Sequence, residues 1–440
     1  MLPSHQQAVS MKTDSATNRR TFLKTGTTAA ALLPLALQSQ KQSTLRIGLI
    51  GCGGRGTGAA AQALKADPNV ELVAMGDLFA DRLEISHNTL SQASDVAGKV
   101  KVAKEHRFVG WDAFEQVIGM NVDSVILTTP PHFRPAHLKA AIEAGKHVFA
   151  EKPVAVDAPG VRSVLASCRL AREKNLSVVS GLCLRYGYGF REIMRRVHQG
   201  AIGELHTLFA NDYRGGIWHK ERQPQWTDMH DQMRNWYYYT WLSGDFNVEQ
   251  HVHYLDICAW AKGDYPVKAM GMGGRQVRTD FKFGNIFDHH SVIYEYADGA
   301  RLVSNTRQMP GCKNDMSAQF FGSRGKAHIN ERKRGIYLQP NGGERWTYQG
   351  EENNVYQTEH DEMFAAIRSD QPINNGEYMA KSTLLAIMGR MATYTGQEIT
   401  WQQAMESKED LSPERYAWGE APAAPIALPG QDPRLSLIHI

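Results

Sequence analysis

The sequence predicts an α/β fold: an N-terminal doubly wound parallel sheet, followed by a C-terminal α+β domain with a large, mostly antiparallel open sheet. Three observations predict it. A strand, a glycine-rich loop, a helix and a second strand follow one another within residues 45–77. Short apolar strands then alternate with helical stretches as far as Ser180, the pattern of a parallel sheet with crossover helices. Beyond about Glu204 the alternation gives way to strands paired around tight turns. The chain of 440 residues is long enough for two or three domains. Its apolar and charged fractions, 42% and 22%, are those of an ordinary globular protein and exclude a disordered or fibrous chain.

Residues 1–40 stand apart as a leader. Arg19-Arg20 with Phe22-Leu23-Lys24 precedes an apolar stretch over 25–37, the layout of an export signal and too short to span a bilayer. The paired arginines resemble the twin-arginine (Tat) signal. The whole formal charge of +3 resides here, on Lys12, Arg19, Arg20 and Lys24 against Asp14. The rest of the chain is charge-balanced, which gives no electrostatic footprint for nucleic acid. No later segment is apolar and long enough to cross a membrane. Five scattered cysteines without a Cys-x-x-Cys pair form neither a disulfide framework nor a zinc pattern.

Residues 45–50 form the first strand, and Gly51-Cys52-Gly53-Gly54-Arg55-Gly56 leads into a helix over 57–65. A second strand over 71–75 ends at Gly76-Asp77, with the acid 21 residues past Gly56. This is the dinucleotide-binding arrangement in its full context. Gly51 permits the tight turn, Gly53 and Gly54 let backbone N–H groups approach a pyrophosphate, and Gly56 allows close helix packing. The helix N-terminus favours phosphate charge. Asp77 at the strand end favours NAD by binding the ribose and repelling a 2′-phosphate; Arg55 and Arg82 keep NADP as an alternative. A strand over 122–127 ends at Thr128-Thr129-Pro130-Pro131-His132, and one over 147–150 ends at Glu151-Lys152-Pro153. Helices over 136–144 and 158–174 and a strand over 176–180 complete the alternation. Ligands of such sheets bind beyond the carboxyl ends of the strands. Thr129, Pro130, His132, Glu151 and Lys152 therefore join the cofactor-site candidates.

The second domain starts from turn signals. Residues 289–296 and 300–309 flank Asp298-Gly299, and 335–339 and 344–348 flank Asn341-Gly342-Gly343, each a hairpin. One face of the resulting sheet is expected to stack on a helix over 249–260. On that helix Glu249 and His253 are four residues apart, hence on one face and able to enter one cleft. Histidine has the pKa to accept a hydroxyl proton, and a lysine at a strand end can stabilise alkoxide charge. His251, His253 and Asp256, or Asp288-His289-His290, are poorly spaced to share a metal, so none is expected. Trp218, Trp226, Trp236, Tyr237, Tyr238, Tyr239 and Trp241 suit either a platform for sugar rings or core and interface packing. Residues 421–440 read as a tail, its last six resembling a translated adapter.

Glu151-Lys152-Pro153 after a dinucleotide fold, with the Gly244–Asp256 segment, resembles the Gfo/Idh/MocA oxidoreductase family. Members commonly carry a Gly-rich turn, then Asp-x-x-x-His, with another Asp three residues on. Here Glu249 replaces that Asp and His251 a common Gly, while His253 and Asp256 match. A helix over 384–396 and Glu398-Ile399-Thr400-Trp401 resemble the family's closing segment. The resemblance implies domains at 45–168 (NAD(P)-binding, Rossmann type) and 169–420 (substrate and oligomerisation), a homo-oligomer, and Lys152 and His253 as the catalytic pair with Glu249 orienting them. Lys152, Arg185, Tyr239, His253 and Asp256 are the substrate candidates.

A nicotinamide enzyme outside the cytoplasm, where free NAD is not maintained, must hold and regenerate its cofactor in place. Two cycles satisfy this. One oxidises a sugar or cyclitol CH–OH group and then reduces a second carbonyl compound, as the exported glucose–fructose oxidoreductases of the family do. The other is the redox-neutral cycle of the NAD-dependent glycosidases (glycoside hydrolase family 109): oxidation at C3, elimination, hydration and re-reduction. Those glycosidases usually replace the lysine of Glu-Lys-Pro, so Lys152 favours oxidoreduction. A non-catalytic sugar- or cofactor-binding protein would not need Lys152 and His253.

Overall fold

In the first sheet, consecutive side chains of each strand feed two different cores, and that division explains the layering. The computed structural model describes residues 43–330 and 335–431; the leader and the adapter-like end lie outside them. Strands β1 (Leu45–Ile50), β2 (Val70–Asp77), β3 (Arg107–Val109), β4 (Ser124–Leu127), β5 (His147–Ala150) and β6 (Val178–Ser180) form one sheet in the order β3-β2-β1-β4-β5-β6. Every pairing in it is parallel. Ile47, Leu49, Ile126 and Phe149 enter the core beneath helices Gly54–Ala66 and Ala80–Gln92. Ile50, Val125, Leu127 and Val148 enter the core beneath helices Arg134–Glu143 and Ala158–Glu173. Strands covered on both faces read as unbroken apolar runs, which is why β1, β4 and β5 were legible.

Both cores also receive late segments. Helix Val355–Arg368 sends Met363 and Phe364 into the first core and packs beside helix Gly54–Ala66. Nothing local in 355–368 announces that destination; it is selected by apolar packing on the Ala59–Leu64 face together with polar contacts such as Arg368 with Asp67 at 2.7 Å and Gln357 Nε2 donating to Gln62 O at 3.0 Å.

Among the described residues the second sheet has nine strands. They are β7 (Leu205–Arg214), β8 (Lys268–Gly274), β9 (His289–Glu295), β10 (Arg301–Gln308), β11 (Asp315–Gly322), β12 (Gly325–Asn330), β13 (Tyr337–Pro340), β14 (Trp346–Thr347) and β15 (Ile399–Thr400). Their order is β14-β13-β12-β11-β7-β10-β9-β8-β15, antiparallel except for β7 with β10. Both expected hairpins are present, as β9–β10 and β13–β14. Helices Val252–Lys262 and Gly376–Thr395 cover one face, burying Leu208, Val292, Tyr294, Leu302 and Phe320 against Leu255, Leu384 and Met388. The opposite face leaves Met270, Met272 and Ile293 exposed. No described helix is long and apolar enough to cross a membrane.

The expected helix over 249–260 is broken. Phe246–Glu249 is a separate turn, and the next helix begins at Val252. Gln250 and His251 both donate backbone N–H to Phe246 O, at 2.9 and 3.1 Å, which widens the turn. Residues 421–431 are likewise not a free tail. Gln232 Nε2 donates to Pro422 O at 3.0 Å, Asn285 Nδ2 to Pro425 O at 3.3 Å, and Gly430 N to Thr395 O at 2.9 Å.

Candidate active site

Two adjoining cavities lie at the carboxyl ends of the parallel strands. The larger, about 540 Å³, is lined by Gly51, Gly53, Gly54, Arg55, Gly56 and Asp77, with Thr128, Thr129 and Pro130 from the β4 end. Gly51 has φ +96°, a conformation that glycine adopts without strain. A Cβ on Gly56 would sit 2.0 Å from Gly51 O, so helix and strand approach this closely only with glycine there. A Cβ on Gly53 or Gly54 would meet no protein atom within 4 Å, so that backbone is open to the cavity. Asp77 accepts from Cys52 N at 2.6 Å and Phe79 N at 2.8 Å, which fixes its carboxylate on the rim. Burial pushes its carboxyl pKa up. Arg82 lines the same cavity. These residues fit a dinucleotide: a loop open for the diphosphate and an acid for the ribose. In holo protein these residues would hold the dinucleotide.

The smaller cavity, about 250 Å³, shares Arg55, Thr128, Thr129 and Trp236 with the first. Its other walls include Glu151, Lys152, Glu249, Gln250, His253 and Tyr356. The catalytic candidates therefore converge, although the helix expected to join two of them is broken. Lys152 leaves the β5 end, where Glu151 O accepts from Arg134 Nε at 2.9 Å and the Glu151 carboxylate accepts from Lys152 N at 3.0 Å. The Lys152 ammonium donates to Glu249 O at 2.6 Å and Glu249 Oε1 at 2.9 Å. Both side chains are nearly enclosed. Burial, then the charges of Lys152, Arg214 and Arg55, holds the His253 imidazole well below its usual pKa. It is neutral near pH 7, and its Nδ1 is buried with no hydrogen-bond partner among the described residues.

Asp245 anchors the Glu249 turn. It has φ +76°, rare for a residue with a side chain, and is fully buried. Its carboxylate accepts from Tyr394 Oη at 2.5 Å, Phe287 N at 2.9 Å, His290 Nε2 at 3.2 Å and Asn247 N at 3.3 Å. A site this over-determined can sustain a strained backbone. Arg55 is similarly placed by partners invisible in the local sequence. It pairs with Glu151 at 2.5 Å and Glu359 at 3.3 Å, and its guanidinium lies 4.6 Å from the Tyr356 ring centroid. Glu359 and Tyr356 come from the late helix Val355–Arg368, and no spacing rule links them to a loop 300 residues earlier.

Four candidates line neither cavity. Arg185 Nε and Nη2 bind Asp256 Oδ2 and Oδ1 at 2.8 and 2.9 Å, with the guanidinium between the rings of Tyr378 and Trp260. Ser382 Oγ donates to Asp256 as well, at 2.6 Å. The pair satisfies itself within the packing, so the structure does not bring Arg185 and Asp256, expected at the substrate, to either cavity. Tyr239, also expected at the substrate, is buried among Met229, Met233 and Trp241. His132, expected at the cofactor, hydrogen-bonds Tyr416 Oη at 2.7 Å and packs edge-on against Phe133 and Trp241. The aromatic segment divides: Trp218 and Trp236 line the larger cavity, while Tyr237, Tyr238 and Trp241 are core. Among the described residues no group of three or more His, Cys, Asp or Glu could hold a metal ion.

Comparison with known proteins places this geometry. Residues 45–181 match the model described as "Oxidoreductase family, NAD-binding Rossmann fold", and residues 190–328 match the "GFO/IDH/MocA C-terminal domain". The chain belongs to the Gfo/Idh/MocA oxidoreductase family. As a member it is an NAD-binding oxidoreductase, and its first sheet is the NAD-binding domain. It is 28% identical over 263 residues to inositol 2-dehydrogenase 3 of Saccharopolyspora erythraea, covering 59% of this chain and 65% of that enzyme. It is 24% identical over 302 residues to myo-inositol 2-dehydrogenase of Thermotoga maritima, covering 68% and 80%. The scyllo-inositol dehydrogenase of Lactobacillus casei, solved with NAD(H) and scyllo-inositol, superimposes with TM-score 0.62 at 17% identity, covering 82% of this chain and 100% of that one. At that identity the likeness establishes the Gfo/Idh/MocA fold.

Proposed function

We propose that this protein oxidises a CH–OH group of a sugar or cyclitol and recycles a tightly held NAD within the site. The carrying observation is the convergence of Lys152, Glu249 and His253 on a small cavity that shares four wall residues with the dinucleotide cavity. The inositol dehydrogenases among its relatives support a polyol substrate. When bound, the nicotinamide supplies the hydride acceptor. Neutral His253 takes the hydroxyl proton, and the Lys152 ammonium stabilises the alkoxide charge. Glu249 holds that ammonium through its carboxylate and its carbonyl oxygen. Recycling rests on the leader, whose twin-arginine pattern supports export to the periplasm with cofactor already loaded. The exposed sheet face bearing Met270, Met272 and Ile293 supports a homo-oligomer.

The test starts from protein purified after export. Bound nicotinamide is sought by near-ultraviolet absorbance, and inositols, aldoses, ketoses and aryl glycosides are added in turn. Reduction by a polyol, reversed by a second carbonyl compound, is the expected result. Free dissociation with a requirement for added NAD overturns the recycling cycle. Aglycone release without net reduction assigns the glycosidase cycle instead.

A further inference from the structure

The wall of the dinucleotide cavity opposite the glycine loop comes from outside the first sheet: Trp218, Lys220, Met233, Arg234 and Trp236. Lys220, Arg234 and Arg82 are the cationic side chains that, with Arg55, line this cavity. The two walls are joined across the rim. Arg234 Nη1 and Nη2 bind Asp81 Oδ2 and Oδ1 at 2.8 and 2.7 Å, and the guanidinium lies 3.7 Å from the Phe79 ring centroid. Arg234 is 12% exposed, so this fork is shielded on one side.

The C-terminal segment closes the same seam from behind. Trp418 packs on Phe79 at 5.7 Å, on Trp111 at 5.2 Å and on His230 at 5.2 Å between centroids. Tyr416 packs on Trp111 and Phe133, at 5.9 and 5.7 Å. Phe79, Trp111 and Phe133 are all walls of the cavity, whereas His230 lies on helix Asp228–Arg234, which also carries Arg234. The segment is pinned to that helix by Met229 N donating to Gly419 O at 3.0 Å, and by Gly419 N donating to Thr227 Oγ1 at 3.2 Å.

We infer that the Arg234–Asp81 fork and the aromatic strap Tyr416–Trp418 form a clasp that retains the dinucleotide, with Trp218, Trp236 and Lys220 as its second-domain contacts. The physical argument is connectivity. One wall is Rossmann loop and the other is the 218–236 segment, so a ligand larger than the rim opening leaves only when the walls part. Parting them breaks a bidentate ion pair and exposes the faces of Phe79 and Trp111 together. This deepens the proposed recycling cycle by naming what holds the cofactor, and it rests on that reading for its purpose though not for its test.

The test measures release of NAD from the full-length holoprotein by dilution into a scavenging dehydrogenase. Arg234→Met and Trp418→Ala are each expected to speed release at least tenfold, with the unfolding midpoint shifted little, since Asp81 and Trp418 are half-exposed. Trp418→Phe keeps the aromatic contact and should retain slow release. Release unchanged in Arg234→Met and in Trp418→Ala overturns the clasp. Accelerated release in an enzyme that nonetheless requires added NAD would retain the clasp and reject only the recycling cycle.

Discussion

Replacing Lys152 by Met is the perturbation that bears most directly on the proposed chemistry. The side chain keeps its length but loses the ammonium that binds Glu249 at two points. A unit cation about 4 Å from a developing alkoxide, at an effective dielectric of about 20, is worth about 4 kcal/mol. Loss of one preorganised donor in other enzymes costs about 2.7–4 kcal/mol, a fall of about 10²–10³ in turnover. The two estimates agree, so the expected loss is at least a hundredfold. Glu249, 11% exposed at its side chain, is then left with an unpaired carboxylate, and that adds a separate stability loss. Pairing Lys152→Met with Glu249→Gln removes the orphaned charge and should restore stability while leaving turnover low. The assay is single-turnover reduction of bound nicotinamide by a polyol, with urea unfolding of the same samples. A Lys152→Met enzyme within threefold of the parent would refute the role of the ammonium.

Other outcomes follow from the same geometry. Gly56→Ala puts a Cβ into Gly51 O and Thr128 Oγ1, so the protein should lose NAD binding by calorimetry, while Gly54→Ala, whose Cβ meets no protein atom, should fold normally. Arg185→Met breaks a buried pair and is expected to cost about 3–5 kcal/mol in urea unfolding with little change in the KM for substrate; a large KM effect without destabilisation would return Arg185 to the substrate. Lys152 is the largest charge that lowers the His253 pKa, so the acid limb of kcat/KM in Lys152→Met should move to higher pH; an unmoved limb would exclude His253 as the proton acceptor. His251 and His360 are buried with pKa values pushed down to about 3. Each unfolded imidazole takes up a proton its folded form refuses, so stability is full above about pH 6.5 and falls below it. The loss is about 2 kcal/mol per residue by pH 5, read as a lower urea midpoint in the parent and a smaller drop in His251→Asn.

Local sequence was informative where one element carries its own reason. The β1 run, the glycine loop and Asp77 form a contiguous unit in which turn, helix start and strand end follow from residues 45–77 alone. Glu151-Lys152 was legible for the same reason, since a strand end places its next residues beyond the sheet. Glu249 and His253 were assigned to one cavity by helical spacing, yet the helix is interrupted at Gln250 and His251. They meet because the widened turn preserves their approximate face, with Asp245 capping the turn and His290 and Tyr394 holding Asp245 from distant segments. Arg185 and Asp256 show the converse: two polar residues near the site in sequence satisfy each other, which no spacing rule detects.

The sequence by itself determined the α/β fold with its parallel N-terminal sheet and the NAD-binding loop, because each depends on backbone conformation and hydrophobic period within a few tens of residues. Tertiary structure alone decided what surrounds them. It brought Glu359 and Tyr356 to Arg55, held Asp245 between His290 and Tyr394, and laid Tyr416 and Trp418 across the seam of the cofactor cavity. Those contacts join residues as far as 300 positions apart, and burying apolar surface selects such partners by shape and charge, which adjacency in the chain does not record.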